Sequence, residues 1–184
     1  MTDPGYFEDL YRTDPDPWRL ASAPYETRKR ALTLASLPRE SYRRGFEPAC
    51  AGGELTALLA ERCEELVVSD PVAVALERVR SRDLPGVEVR PGALPHDWPE
   101  GPLDLVVISE VLYFLDEADR ALTCRAAAER LEPGGHLVAV HWRHDFEEAA
   151  SRPDEAHADL PATGLHRVVL HEEADFRLEV LERA

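Results

Sequence analysis

Gly45-Phe46-Glu47-Pro48-Ala49-Cys50-Ala51-Gly52-Gly53-Glu54-Leu55 runs from a short apolar segment through a loop of small residues into a leucine-bearing stretch. Leu55, Leu58 and Leu59 recur at helical spacing, so the run reads as strand, tight turn, helix, the opening of a βα unit. The same alternation continues outward. Leu66-Val67-Val68-Ser69-Asp70 reads as the second strand, Val87-Glu88-Val89-Arg90 as the third and Leu103-Asp104-Leu105-Val106-Val107-Ile108-Ser109 as the fourth. Leu137-Val138-Ala139-Val140-His141 reads as the fifth, with Pro133-Gly134-Gly135 before it predicting a turn that cannot continue a helix. Between the fourth and fifth, Ala118, Leu122, Ala126 and Leu131 approximate one helical face, and Asp116, followed by Glu117 and Asp119, suits its N-terminus. Strands alternating with helices predict an α/β fold with a mostly parallel twisted sheet and helices on both faces. His166-Arg167-Val168-Val169-Leu170-His171 and Phe176-Arg177-Leu178-Glu179-Val180-Leu181 close the chain as an antiparallel strand pair.

Residues 1–44 differ in kind, being aromatic, punctuated by proline and then basic at Arg28-Lys29-Arg30. Tyr25, Lys29, Leu32 and Ser36 fall near one stripe, which predicts a helix over residues 24–37 lying across the sheet. We therefore expect residues 1–44 to form a helical lid segment on a domain spanning 45–184, one compact unit overall. Residues 143–160 carry no clear period, with Pro153 as a helix opener. The 184 residues are 44% hydrophobic and 31% charged, as in globular domains, and no apolar run approaches the roughly 18 residues of a membrane span. With no leader-like pattern at Met1-Thr2-Asp3-Pro4, a cytoplasmic location is expected. A formal net charge of −15 disfavours a phosphate backbone as partner. Cys50, Cys63 and Cys124 show neither a disulfide framework nor metal-ligand spacing, so no metal is expected.

Ligands of open α/β sheets bind at the carboxyl ends of the strands. The first strand ends in Glu47 and the small-residue loop, and the second in Asp70, 23 residues further on. This layout suits a nucleoside whose ribose hydroxyls donate to Asp70. No G-x-G-x-x-G is present, and a carboxylate at Glu47 would repel the pyrophosphate of a dinucleotide, which makes a nicotinamide-dependent oxidoreductase improbable. Glu47 suits instead a ligand carrying an ammonium and a sulfonium.

On these residues the chain resembles the class I S-adenosylmethionine-dependent methyltransferases, which have a Rossmann-like fold and whose first motif is an acidic residue followed by G-x-G-x-G. Ala49 and Ala51 stand where the first two glycines fall, and Gly53 keeps the third. Because alanine disfavours positive φ, the loop is expected to adopt ordinary backbone angles or to sit further from the ligand. Leu131-Glu132-Pro133-Gly134-Gly135-His136-Leu137 resembles a later motif of the family. More narrowly, Asp14-Pro15-Asp16-Pro17-Trp18, Tyr25-Glu26-Thr27-Arg28-Lys29-Arg30, Ser109-Glu110-Val111-Leu112-Tyr113 and Val140-His141-Trp142-Arg143-His144 resemble the nodulation protein S group, which methylates the amine of a deacetylated chitooligosaccharide.

The resemblance implies S-adenosyl-L-methionine as cofactor and a small-molecule or oligosaccharide acceptor, with no nucleic acid or membrane partner. It assigns the cofactor to Glu47, Ala49, Cys50, Ala51 and Gly53, to Asp70 and Pro71, to Gly92 and Ala93 at the adenine edge, and to Ser109 and Glu110. Trp18 and Tyr25 would cover it, and Arg28 or Arg30 would reach its carboxylate. With no aspartate at the Gly92-Ala93 turn, backbone groups would read adenine. For catalysis, His141 is the candidate base for an amine acceptor, Glu110 the group that orients it, and Tyr113 a wall of its pocket. His96, His136, His144, His157, His166 and His171 are expected at surfaces or turns. The competing reading is a protein of the same fold that binds the cofactor without catalysis.

Overall fold

The computed structural model describes residues 4–14 and 16–184. Met1, Thr2, Asp3 and Pro15, which belong to the expected lid segment and to the Asp14–Trp18 motif, lie outside the described residues. Two helices come first, α1 (Pro4–Thr13) and α2 (Pro24–Ala35). They precede β1 (Tyr42–Pro48), α3 (Glu54–Ala60), β2 (Cys63–Asp70), α4 (Ala73–Ser81), β3 (Val87–Pro91), β4 (Leu103–Ser109), α5 (Glu117–Arg130), β5 (Leu131–Trp142), β6 (His166–Glu172) and β7 (Phe176–Glu182). The strands form one seven-stranded sheet in the order β3-β2-β1-β4-β5-β7-β6. β1 to β5 pair in parallel, while β7 runs antiparallel to both β5 and β6. Among the described residues no helix is long and apolar enough to cross a membrane.

The central strands are buried on both faces, as the near-continuous apolar run of β4 requires. Val106 and Ile108 join Phe46, Leu137 and Ala139 in one core cluster. Leu105 and Val107 join Leu66, Val68, Val138 and Val140 in the other. Gly45 permits the closeness of β1 to β2, since a Cβ there would lie 2.9 Å from Cys63 Sγ and 3.0 Å from Leu66 Cδ1. Asp116 caps α5 by accepting from the Asp119 N–H at 3.0 Å.

Two local expectations are corrected. β5 begins six residues earlier than the apolar run, at Leu131, and absorbs Pro133-Gly134-Gly135 as an irregularity within the strand rather than a turn before it. Gly134, at φ 76°, takes the left-handed angle there, and its N–H donates to the Arg183 carbonyl at 2.6 Å. In α2 the buried side chains are Glu26, Lys29 and Thr33, so this helix turns a polar face inward. The expected stripe of Tyr25, Lys29, Leu32 and Ser36 contains Lys29 but leaves out Glu26 and Thr33, because a stripe sought among apolar residues assumes that burial follows hydrophobicity.

Candidate functional site

The ends of β1, β2 and β4 open on a single cavity of about 790 Å³, closed on its far side by α1, α2 and the chain between them. Glu47, Ala49, Cys50 and Ala51 from the first loop line it, with Asp70 and Pro71 from the second, Gly92 and Ala93 after β3, and Ser109, Glu110 and Tyr113 after β4. Trp18, Tyr25 and Arg30 line it from the N-terminal side. Three expected residues do not reach it. Gly53 stands behind the loop at φ 83°, where a Cβ would meet Val79 and Arg82. Arg28 makes a two-pronged pair with Glu173 on the surface, at 2.5 and 2.7 Å, and is no longer a candidate for the cofactor's carboxylate. His141 is the third.

The first loop answers the question its alanines raise. Ala49 and Ala51 sit at φ 56° and 49°, so the loop does not adopt ordinary angles: alanine takes the left-handed conformation that glycine would take more cheaply. Hydrogen bonds pin it there. The Cys50 N–H donates to the Ser69 carbonyl at 3.0 Å, the Ala51 N–H to Asp70 Oδ2 at 3.0 Å, and the Gly53 N–H to the Cys50 carbonyl at 3.0 Å. Asp70 Oδ1 also accepts from the Val72 N–H at 2.9 Å, so one carboxylate ties together the turns after β1 and β2.

The charges at this end are expensive to bury. Glu47 accepts from the Thr56 hydroxyl at 2.6 Å, and burial pushes its carboxyl up to about 8. Burial likewise raises Asp70 to about 6, against the pull of the Val72 and Ala51 N–H groups. A hydroxyl and backbone N–H groups are what oppose burial at these two carboxyls, and a cationic ligand would supply the positive charge that lowers both. The Tyr25 hydroxyl is buried without a hydrogen-bond partner although its residue lines the cavity. At the Gly92-Ala93 turn the Ala93 N–H donates to Asp97, four residues on, at 2.9 Å, so one of the backbone groups there is already engaged.

At the other end, Glu110 follows β4 at φ 57°, a left-handed angle on a non-glycine residue of the kind that clusters at functional sites. Its Oε2 accepts from the Trp142 N–H at 2.9 Å and from the Tyr113 hydroxyl, and its Oε1 contacts the Lys29 ammonium. Lys29 also reaches Glu26 Oε1 at 2.8 Å. Burial works against the Lys29 charge, yet Glu110 and Glu26 together hold it above its ordinary range. Glu26, Lys29, Trp142, His144 and Asp175 all line this part of the cavity without having been singled out from sequence. Their advance signal was that Glu26 and Lys29 stood inside the Tyr25–Arg30 motif and Trp142 and His144 inside the Val140–His144 motif; Asp175 had none.

His141 is fully buried and lies outside the cavity lining. Its Nε2 accepts from the backbone N–H of Leu112 at 3.1 Å and of Val111 at 3.3 Å, so its proton sits on Nδ1, which donates to His157 Nε2 at 2.9 Å. His157 Nδ1 in turn donates to Glu179 at 2.9 Å. Burial, then His157, holds His141 well below the usual imidazole range, whereas the bonds from His157, Arg167 and Arg177 hold Glu179 down at about 2 against burial. With both ring nitrogens engaged away from the cavity, His141 is withdrawn as the base and becomes a support for the Val111–Leu112 turn. His136 is buried within β5, neither at the surface nor in a turn as expected, His157 is in a turn as expected though buried, and His144 lines the cavity.

A sheet in this order with carboxylates at the ends of β1, β2 and β4 around one cleft defines a class I methyltransferase fold. The chain belongs to the nodulation protein S (NodS) family, whose model matches residues 7–139. It is 35% identical over 127 residues to nodulation protein S of Rhizobium tropici, a match covering 67% of this chain and 53% of that protein, so the chain spans about half the length of this relative. Among solved structures, a candidate methyltransferase from Pseudomonas syringae is 47% identical, with a TM-score of 0.76 over 86% of this chain and 99% of that one. The N-methyltransferase NodS of Bradyrhizobium japonicum WM9, in complex with S-adenosyl-L-homocysteine, is 26% identical, with a TM-score of 0.83 over 96% of this chain and 97% of that one.

Proposed function

We propose that this chain binds S-adenosyl-L-methionine and transfers its methyl group to the amine of a small polar acceptor, with amino sugars and oligosaccharide amines as the first class. The observation that carries the reading is the pair Glu47 and Asp70, two carboxyls raised by burial at the ends of β1 and β2 in one cavity. Kinship with the Bradyrhizobium enzyme, solved with S-adenosyl-L-homocysteine, supports it. The residues present fit the cofactor: Glu47 complements an ammonium, Asp70 keeps acceptor capacity for ribose hydroxyls, and the partnerless Tyr25 hydroxyl has room for a bond. Arg30, whose Nη1 donates to the Leu20 carbonyl at 2.6 Å, is the cation for the carboxylate, and Trp18 the cover. Residues 1–44 act in this reading as a lid on 45–184.

When bound, S-adenosylmethionine supplies an electrophilic methyl: the amine lone pair forms the N–C bond, the C–S pair leaves with sulfur, and the product ammonium gives its proton to water. The chain's own task is positioning. Glu110 accepts a hydrogen bond from the acceptor nitrogen, and Tyr113, whose hydroxyl burial and Glu110 keep protonated, fixes the Glu110 carboxylate. Trp142 and His144, with ring centroids 5.1 Å apart, and Asp175 offer a polar-edged aromatic wall for a sugar ring. Binding without catalysis is the weaker alternative, because nothing in it calls for the Glu110 arrangement.

Calorimetric titration with S-adenosylmethionine, S-adenosylhomocysteine and, as control, NAD tests the cofactor. Micromolar binding of the adenosyl ligands alone is expected, followed by methylation in a screen of amino sugars. NAD binding, or no adenosyl binding, would overturn the reading.

A further inference from the structure

Lys29 has no part in the mechanism above, although it stands at the acceptor end of the cavity. Its side chain is 4% exposed, with the ammonium held between Glu26 and Glu110 and 5.0 Å from the centroid of the Tyr25 ring. The charged and titratable groups facing this place are few. From α2 come Glu26, Arg30 (3.8 Å from Glu26) and Tyr25; from the turn after β4 come Glu110 and Tyr113; His144 and Asp175 line the cavity from beyond β5 and before β7. Counting Lys29, Glu26 and Glu110, the bracket carries one net negative charge, and without Lys29 it would carry two.

An amine attacks only through a free lone pair. Without Lys29, Glu26 would keep Arg30 at 3.8 Å while Glu110 would lose its ammonium partner, and that freed carboxylate would bind the amine as an ammonium and hold the proton on the nucleophile. We propose that Lys29 is a positioning and specificity-determining residue: its ammonium occupies the place between Glu26 and Glu110 that a protonated acceptor would take, so the acceptor is received as a neutral amine. Two features of the site favour this role. Lys29 is fixed by two carboxylates rather than one, so it cannot swing aside without leaving a buried charge unpaired. Glu110 Oε2 is engaged by the Trp142 N–H and the Tyr113 hydroxyl, whereas Oε1 contacts Lys29 and keeps a second lone pair for the acceptor nitrogen.

This inference rests on the amine reading of the site, and the test separates the two. The full chain is assayed with S-adenosylmethionine and the glucosamine disaccharide as probe amine, across the pH range in which that amine loses its proton. Lys29→Met should move the acidic limb of kcat to higher pH, roughly tenfold or more slower at a fixed pH on that limb, while KM falls because the ammonium form binds. Lys29→Arg should track the unmodified chain, and Lys29→Met/Glu26→Gln, which restores one net negative charge, should recover the original limb. S-adenosylhomocysteine affinity, measured in parallel, should stay within about twofold in every variant, since Lys29 acts at the acceptor end. Methylation by the unmodified chain together with an unshifted limb in Lys29→Met overturns the inference alone. So does a uniform loss of activity and cofactor affinity that the double variant does not recover. Cofactor binding without transfer to this or any other amine overturns the amine reading, and the Lys29 role with it.

Discussion

Replacing Ala49 by glycine should stabilise the protein, against the usual direction of Ala→Gly changes. At φ 56° the alanine Cβ crowds the backbone, at a cost of about 1–2 kcal/mol for an L-residue in the left-handed region. Glycine removes that cost but adds about 0.5–1 kcal/mol of unfolded-chain entropy. The net gain is about 0.5–1 kcal/mol. With an unfolding entropy near 2.1 cal/mol/K per residue, the 184 residues give about 0.4 kcal/mol/K, so the melting temperature should rise by about 1–3 °C. Ala51→Gly is the internal control. It relieves the same strain at φ 49°, but Ala51 is partly buried against the Tyr11, Val72 and Ala75 cluster, and losing its methyl costs up to about 0.8 kcal/mol, which offsets much of the gain. Differential scanning calorimetry on both variants reads the result. A lower melting temperature for Ala49→Gly would mean that the loop is not strained there and would refute the reasoning.

Binding a cationic ligand should release protons. Glu47 stands at about 8 and Asp70 at about 6, and a neighbouring positive charge lowers both, so titration of S-adenosylmethionine near pH 7 in buffers of different ionisation enthalpy should show net release, most of it lost in Glu47→Gln. The unliganded protein should lose stability as pH rises from about 4.5 to about 8: the folded Glu47 carboxyl is raised, so the folded state binds more protons, and its contribution is complete below the unfolded value. Glu47→Gln should flatten that slope by a few kcal/mol, and an unchanged pH–melting curve would count against the burial argument. His141→Ala should destabilise by about 2–4 kcal/mol, because the Val111 and Leu112 N–H groups and His157 lose their partner together. A stable His141→Ala protein with slowed turnover would instead restore its role as a base.

The sheet was legible because strands buried on both faces leave continuous apolar runs. The end of each run named a site residue in turn: Glu47, Asp70 and Ser109 all lie where the backbone stops pairing. What could not be read has specific causes. The angles of Ala49 and Ala51 contradict their residue type and are set by hydrogen bonds to Ser69 and Asp70, distant in sequence. His141, His157 and Glu179 come from β5, the segment before β6, and β7, and no local spacing joins them. Glu26 was masked by its own polarity, and although Lys29 fell on the expected stripe, its pairing with Glu26 and Glu110 has no signature in a stripe, because α2 buries charges against charges.

These observations converge on one principle of construction. The cavity gathers Glu47, Asp70, Glu110 and Glu26, and the chain compensates them unequally. At the acceptor end Lys29 supplies a fixed ammonium, and the carboxylates there are engaged before any ligand arrives. At the cofactor end Glu47 is held by a hydroxyl, Asp70 by backbone N–H groups, and both carboxyls are raised by burial. The free energy stored at the first end is therefore spent on orientation. That stored at the second is recovered only when a positive charge enters, so affinity for a cationic ligand and stability of the unliganded fold should trade against each other. Glu47→Gln decides the point: in one substitution it should make the unliganded protein more stable at pH 8 and weaken S-adenosylmethionine binding. A variant that gained stability and kept its affinity would show that the buried carboxyl serves the fold's packing rather than the ligand.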